Sequence, residues 1–546
     1  MRATDAIAAG LLLLLGVGSA RAQPAGRPSE QDIFGSAPAP AGTDGGTPQP
    51  APIPEDAPAA TPQPPASQAA DRDQAVLGGG GGAGTPQLDD YIAPDNPLQI
   101  GGQLYLRAQS TALQGQAPPA WSLTAPSLID AYFDARPNPR VRAFVLGRMS
   151  YNPTAPPAGT TGGSLGMGGS QGAFTGGSAT GFTTFSAARG PTSVLDQMWI
   201  RFDVLGRVFV TAGKQHVRWG TGRFWQPTDY LHPVKRNPLD VFDARSGVTM
   251  LKLHVPWEDR AWNFYGFAVA EDPNTATDSL RAVSGGARAE IVVLGAELGL
   301  DVLAKRGSKS RFGIDLSMGI WDFDIYADVA LRAGADFNSV EKVAVDPSLT
   351  CTPAGADPGD PSMQLPINDL SSQYHVVALS GIKTQAVVGA NYSRKYNDND
   401  LWLIGAEYFY NQPGYSDTSL YPGLLFNDRG TPMLNFFYTG RHYAALFASL
   451  PQPFSWNKTT FTLSTVGNLA DMSFVSRLDY SFTLLTHLSL EAFGGVHYGS
   501  RAGEFRLGFD IDAQRILNAD GTCGTIPGVT RDPLLLDLGV ALRLKI

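Results

Sequence analysis

The C-terminal segment of the chain alternates between two kinds of side chain with a period of two residues. In PLLLDLGVALRLKI, every second residue from Leu534 to Ile546 is aliphatic, and the intervening positions include Asp537, Arg543 and Lys545. Successive side chains of a β-strand point to opposite faces, so the pattern predicts a strand. The run is longer than a common strand and long enough for a membrane-spanning strand, which needs about 9–11 residues.

The same alternation recurs through the rest of the chain. In RFGIDLSMGI, for example, Phe312, Ile314 and Leu316 alternate with Arg311 and Asp315. A soluble sandwich would turn the apolar face inward, whereas a membrane barrel would turn it toward lipid and line its lumen with the polar face. We favour the barrel because the strands are long, follow one another as hairpins, and are joined by alternately short and long connections.

The N-terminus predicts export from the cytoplasm. The apolar run LLLLLGVG is too short to span a bilayer as a helix and is followed by SARAQ, with small residues where an export signal is cut. We therefore predict a signal peptide over 1–22. A Pro/Ala/Gly-rich linker over 23–97 is expected to be disordered, because it has little apolar surface to bury. The barrel is expected over 98–546.

The predicted fold is an all-β, transmembrane antiparallel β-barrel of about 18 strands, with about 16 as the alternative, because bacterial single-chain barrels have an even number. Strands are predicted at 98–109, 123–135, 140–151, 193–204, 207–217, 246–256, 261–271, 283–293, 296–305, 310–320, 322–333, 373–395, 401–411, 438–450, 458–468, 472–483, 487–498 and 532–546.

Five of the nine tryptophans lie at or beside the short connections, which we assign to the periplasmic side. Such a row of indole rings is typical of the aromatic girdle at headgroup level. The tryptophans are Trp257, Trp262, Trp321, Trp402 and Trp456.

The most unusual connection begins with RWGTGRFWQPTD, at 218–229. Its glycines and prolines exclude a regular helix or strand, and a long aromatic connection of this kind is more often functional than disordered. We predict that it folds into the barrel mouth and narrows it, with its basic residues facing the passage and its tryptophans anchoring the loop or stacking on solute rings. The alternative is a structural plug whose arginines pair with an acidic wall. The candidate residues are Arg218, Trp219, Arg223, Trp225, Asp229, Lys235 and Arg236.

The longer stretch GKQHVRWGTGRFWQPTDYLHP resembles a segment of several poorly characterised porin-like outer-membrane families. In those families a Gly-Lys/Arg-Gln strand end runs into Arg-Trp-Gly and then an Asn/Thr-Pro turn. The terminal strand is also similar to the C-terminal signature of outer-membrane barrels, although that signature usually ends in an aromatic residue and this chain ends in Ile546. The resemblance implies an outer-membrane barrel and no particular solute.

The polar positions of the strands are predicted to line the lumen. Those of the early strands are basic and those of the middle strands acidic, which would set a field across the pore; the alternative is that the charges pair within the wall. The candidates are Arg107, Arg142, Arg148, Arg201, Glu297, Asp301, Asp315, Asp324 and Asp328. The two cysteines, Cys351 and Cys523, both fall in long connections, and we predict a disulfide between them because export permits oxidation.

These features predict a porin-like channel in the outer membrane of a Gram-negative bacterium, with both termini in the periplasm. It would pass small solutes, with anions as the candidate class; the alternative is an export or assembly barrel for a surface polymer, with a periplasmic partner. The seven histidines show no catalytic spacing, so we predict no enzyme, no cofactor and no metal. Expected partners are outer-membrane lipid and the barrel-insertion machinery; the chain could form a homo-oligomer, and no nucleic acid is expected.

Overall fold

A computed structural model describes most of the chain from residue 97 to the C-terminus. The described ranges are 97–155, 190–232, 235–239, 245–270, 283–305, 309–344, 349–353, 355, 361–396, 401–430, 433–454, 456–518 and 521–546. The predicted signal peptide and almost all of the predicted linker lie outside them.

Eighteen long strands form one antiparallel sheet. They are β1 (Leu98–Leu113), β2 (Ser127–Asn138), β3 (Val141–Tyr151), β4 (Thr192–Val204), β5 (Val208–Gln215), β6 (Val248–Trp257), β7 (Trp262–Val269), β8 (Ser284–Val293), β9 (Ala296–Lys305), β10 (Arg311–Ile320), β11 (Phe323–Ala333), β12 (Ile382–Lys395), β13 (Leu401–Asn411), β14 (His442–Pro451), β15 (Thr459–Asn468), β16 (Ser473–Leu485), β17 (Leu488–Gly499) and β18 (Leu534–Lys545). A short strand, Ser122–Thr124, adds to the end of β1.

The sheet closes on itself into a barrel. Each strand pairs with the next along the chain, and β1 pairs both with β2 and with the last strand, β18, where Leu104 lies opposite Leu544. Between β12 and β13 the N–H of Gln412 donates to the carbonyl of Thr384 at 3.1 Å. Closure pairs the strand edges, which a sheet in hydrocarbon requires. The predicted all-β barrel of 18 strands is confirmed.

Side chains on the barrel strands divide cleanly between the two faces. On β10, Phe312 and Ile314 are exposed and Asp315 is buried; on β18, Val540 is exposed and Arg543 is buried. The apolar side chains therefore point out of the barrel and the charged ones point into it, the reverse of a soluble sandwich. No helix within the described residues is long and apolar enough to cross a membrane.

One predicted strand, 373–395, is wrong in its first part. The chain forms a separate strand at Tyr374–Ala378, which pairs with Asn338–Lys342 in the loop that precedes β12. Gly381 follows with a φ of 73°, a left-handed conformation that breaks the extended run and allows the barrel strand to begin at Ile382. The alternating pattern continues through both strands, so periodicity did not reveal the break.

The two ends of the barrel differ in the length of their connections. At one end, here called the short-turn end, neighbouring strands are joined by turns such as 205–207, 294–295 and 321–322. The five girdle tryptophans lie in or beside these turns, as predicted, and the rings of Trp257 and Trp262 make an edge contact with centroids 5.8 Å apart. The opposite end, the long-loop end, carries 152–191, 216–247, 334–381, 412–441 and 500–533. Residues 156–189 of the first loop lie outside the described ranges.

Cys351 and Cys523 form the predicted disulfide, which joins the loops 334–381 and 500–533. The chain around it adds backbone hydrogen bonds between the same loops: Thr352 N–H donates to the carbonyl of Gly521 at 3.2 Å, and Cys523 N–H donates to the carbonyl of Thr352 at 2.8 Å. Two loops that are distant in sequence are thereby tied together at the long-loop end.

One substitution on each face of β10 can test whether the apolar face points out of the barrel and the polar face points into the lumen. Ile314→Arg places a charge on the outward face near the middle of the strand, and we expect it to lower the free energy of unfolding by about 2–4 kcal/mol. Ser317→Arg places the same side chain on the lumen face and should cost much less. Urea unfolding in phospholipid vesicles measures both. An equal loss for the two variants would contradict the assignment of the faces.

Candidate functional site

The described part of the loop 216–247, which joins β5 to β6, lies inside the barrel. Trp219, Trp225, Thr228 and Asp229 are each at most 2% exposed, although they belong to a loop. The hydroxyl of Thr221 donates to the carbonyl of Ala327 on β11, across the lumen from the strands that carry the loop. We call this loop the inserted loop; its residues 233–234 and 240–244 lie outside the described ranges.

A single carboxylate on the barrel wall holds the centre of the inserted loop. Glu407 on β13 accepts hydrogen bonds from three consecutive backbone N–H groups, those of Arg223 at 2.7 Å, Phe224 at 3.1 Å and Trp225 at 2.9 Å. The hydroxyl of Tyr326 donates to the same carboxylate at 2.9 Å. Successive N–H groups that converge in this way form a concave anion site, here filled by a side chain of the protein itself.

Two tryptophans pack the inserted loop against separate parts of the wall. Trp225 stacks on Phe409 of β13 with ring centroids 5.4 Å apart, and its Nε1 donates to the carbonyl of Phe437 at 2.9 Å. Trp219 makes an edge contact with Phe267 of β7 at 5.1 Å. The loop therefore spans the lumen from β7 to β13, and both indoles contact protein.

The glycines of the motif are needed where the backbone folds closely. A Cβ on Gly222 would lie 2.0 Å from the carbonyl oxygen of Trp225. Gly220 has a φ of 92°, and a Cβ there would lie 2.3 Å from the Asp328 carboxylate. The same carboxylate accepts a hydrogen bond from Thr228 at 3.1 Å, so the loop is also held to β11.

The loop carries its own ion pair around Asp229. Arg245 contacts the Asp229 carboxylate at 3.0 Å and His232 at 3.1 Å. Burial alone would raise the pKa of Asp229, but the neighbouring His232 and Arg245 hold that pKa below its usual range. Asp229, one of the predicted loop residues, is therefore neutralised by side chains that the sequence analysis did not single out.

The basic residues of the inserted loop have different surroundings. Arg218 Nη2 donates to the carbonyl of Gly222 at 3.2 Å, and the Arg223 guanidinium lies 3.6 Å from the ring centroid of Phe447. Lys235 Nζ donates to the carbonyl of Asp229 at 3.1 Å, and Arg236 is partly exposed. Burial lowers the pKa of Lys235 to about 8, although Asp229 opposes that shift.

The predicted basic residues of the early strands all lie on the lumen face, close to acidic or aromatic side chains. Arg142 contacts Asp134 at 2.9 Å, and Arg148 contacts Asp130 at 2.9 Å. Arg107 and Arg201 lie over the rings of Phe493 and Phe209. The sequence analysis missed both aspartates, although their positions, in phase with the lumen face of β2, could have revealed them.

The predicted acidic residues of the middle strands also lie on the lumen face. Arg288 of β8, which the sequence analysis missed, contacts Asp301 at 3.2 Å and Asp315 at 2.6 Å. Asp328 accepts from the inserted loop, whereas Glu297 and Asp324 are partly exposed. The lumen therefore contains local ion pairs on both sides.

A second buried carboxylate, Glu504, joins other loops inside the long-loop end. The hydroxyl of Tyr443 donates to Glu504 at 2.6 Å, Asn468 Nδ2 donates at 2.9 Å, and Phe437 N–H donates to its other oxygen. Burial and the neighbouring Asp471 raise the pKa of Glu504 to about 8. The loops 412–441 and 500–533 are thus attached to the same part of the wall as the inserted loop.

No family model and no curated protein matches this chain. Among solved structures, OccAB1 of Acinetobacter baumannii has 10% identity and a TM-score of 0.43, covering 82% of this chain and 97% of that one. OccK2 (OpdF) of Pseudomonas aeruginosa has 10% identity and a TM-score of 0.41, covering 82% and 98%. A triple mutant of Rhodopseudomonas blastica porin has 12% identity and a TM-score of 0.34, covering 82% and 100%. Similarity at this level identifies neither a family nor a solute.

The contact between Glu407 and the inserted loop can be tested with the variant Glu407→Gln. The amide nitrogen of glutamine cannot accept a hydrogen bond, so at least one buried N–H of the loop should lose its partner, at a cost of about 1–3 kcal/mol. We expect faster protease cleavage within 218–245 and noisier single-channel current. The matched control is Glu297→Gln, a lumen carboxylate on another strand. Equal cleavage rates in the two variants would show that Glu407 does not hold the loop.

Proposed function

We propose that the protein is an outer-membrane channel for the passive passage of small solutes. What carries this proposal is a closed barrel with a charged interior and a loop fixed across it. Barrels of about 16–18 strands leave an aqueous channel when their interior is not filled, so an inserted loop is a means of narrowing the passage. In this proposal the short turns and both termini face the periplasm of a Gram-negative bacterium and the long loops face outward.

We further propose that the narrowed passage prefers anions. By sequence, the inserted loop carries five basic side chains, Arg218, Arg223, Lys235, Arg236 and Arg245, against three carboxylates, Asp229, Asp240 and Asp243. The nearest wall carboxylates, Glu407 and Asp328, already accept hydrogen bonds from the loop. A local excess of positive charge in a confined passage favours entry of anions.

Packing inside the long-loop end favours small solutes over an exported polymer. Trp225 of the inserted loop, Phe437 of the loop 412–441 and Phe505 of the loop 500–533 belong to one buried apolar cluster with wall residues such as Phe409 and Tyr443. A polymer chain would have to displace this cluster, whereas small solutes need only the space beside it.

The geometry of a buried histidine supports a channel rather than an enzyme. His497 Nε2 contacts Asp537 at 2.8 Å, which resembles the base and acid of a hydrolase. However, its Nδ1 faces the carbonyl of Phe505 at 2.8 Å, and the nearby hydroxyl of Thr111 donates to Asp537. Both ring nitrogens are engaged, so this pair has no nitrogen available to activate a nucleophile.

Anion preference can be tested with the double variant Arg218→Ala and Arg223→Ala in planar bilayers. We expect the anion-to-cation permeability ratio, measured from the reversal potential in a salt gradient, to fall severalfold because the inserted loop loses two positive charges. Arg140→Ala, at the short-turn end, removes a charge whose side chain is 74% exposed and should leave the ratio unchanged. Unchanged selectivity and conductance in the double variant would refute the role of these arginines.

A pH titration separates the contribution of Lys235 to the anion preference from that of the arginines in the inserted loop. Its pKa is about 8, and a lysine is charged below its pKa, so its positive charge is lost as the pH rises from about 7 to about 9. We expect the anion preference of the protein to fall over that interval. Lys235→Arg keeps its charge and should show no such fall. If Lys235→Arg shows the same pH dependence as the unmodified protein, Lys235 is not responsible.

A further inference from the structure

Several turns at the short-turn end contain a residue type that their backbone disfavours, and three of them carry a large apolar side chain at their first position. Leu205, Leu294 and Trp321 each occupy the first position of a turn, with φ values of 57°, 53° and 54°. A side chain at Cβ is strained in this left-handed region, and hairpin turns of this kind normally carry glycine, asparagine or aspartate there. Positions where a sequence departs from its local preference are often functional.

These three side chains are also almost completely exposed. Leu205 is 86% and Trp321 95% exposed, and Leu294 is fully exposed. Phe454, in the turn before β15, repeats the combination with a φ of 58° and 84% exposure. Packing within the described structure therefore does not stabilise these side chains, so a surface outside the chain must favour them. We call these four residues the turn tips.

The turn tips are spread around the barrel and continue its outward apolar face. They follow β4, β8, β10 and β14, so they do not belong to one side of the rim. Val204, Val293 and Ile320, the residues just before three of the tips, are themselves exposed on the strands. A single protein partner would contact one arc of the rim, whereas lipid surrounds the whole of it.

We propose that the turn tips insert into the phospholipid leaflet at the short-turn end, at the boundary between headgroups and acyl chains. The apolar surface of the strands then continues beyond the last backbone hydrogen bonds of the barrel. Transfer of a leucine or tryptophan side chain from water to that boundary offsets the strain of its left-handed backbone. The girdle tryptophans Trp257 and Trp262 flank another turn of the same end.

Turn chemistry and membrane insertion predict opposite changes in barrel stability for the double variant Leu205→Asn and Leu294→Asn. Asparagine suits a left-handed turn position better than leucine, so turn chemistry alone predicts a more stable barrel. Insertion predicts a less stable one, because two apolar side chains leave the membrane. In urea unfolding from phospholipid vesicles, we expect the folding equilibrium constant to fall at least tenfold. An unchanged or larger constant would overturn the proposal.

Depth measurements separate lipid from a protein partner. A single cysteine at position 205 or 294 would be labelled with an environment-sensitive fluorophore, while the native disulfide stays oxidised. The matched control is Arg140→Cys, in a polar turn of the same rim. We expect quenching by lipids brominated close to the headgroup at 205 and 294 and quenching by aqueous iodide at 140. Iodide quenching at 205 and 294 in vesicles of pure phospholipid would overturn the proposal. If native outer membranes nevertheless protected these positions from iodide, a protein partner rather than lipid would cover them.

Discussion

The requirement that every backbone polar group in hydrocarbon be paired determines the rest of this structure. A sheet can meet it only by closing, and β1 meets it by pairing with both β2 and β18. Closure over 18 strands with an outward apolar face leaves a wide interior that only polar side chains and loops can fill. The inserted loop fills part of that interior, and three of its backbone N–H groups donate to Glu407.

The sequence predicted the barrel well because the period of two is a local property that lipid imposes along the whole of each strand. It also located the inserted loop, because glycine, proline and tryptophan together exclude regular structure. It did not predict Glu407, because the contact of Glu407 with Arg223 joins residues that are separated by 184 positions. It also missed Arg288, which lies directly opposite Asp301 on the neighbouring strand. The break at Gly381 was missed because the loop strand Tyr374–Ala378 has the same alternation as the barrel strand after it.

Charge in the lumen divides into two kinds with different consequences. Arg142, Arg148 and Arg288 lie against aspartates on neighbouring strands, where each ion pair fixes side chains to the wall and contributes little net field. In the inserted loop, Arg245 is likewise paired with Asp229, whereas Arg218 contacts a carbonyl oxygen and Arg223 lies over an aromatic ring. Contacts with a carbonyl oxygen or an aromatic ring orient a guanidinium and leave it charged, and the proposed anion preference depends on such charges.

The two ends of the barrel are stabilised in different ways, and the difference follows from what surrounds each. The long-loop end is covered by loops that would otherwise be free in water, and the disulfide between Cys351 and Cys523 ties two of them together. The connections at the short-turn end are too short to pack over one another, so this end can gain stability only from contacts with its surroundings. The strain of Leu205 and Leu294 at their turn positions is compensated at this end, because a leucine that enters the leaflet restricts motion of the rim along the membrane normal. A barrel held at that depth keeps its inserted loop at a constant distance from the membrane surface.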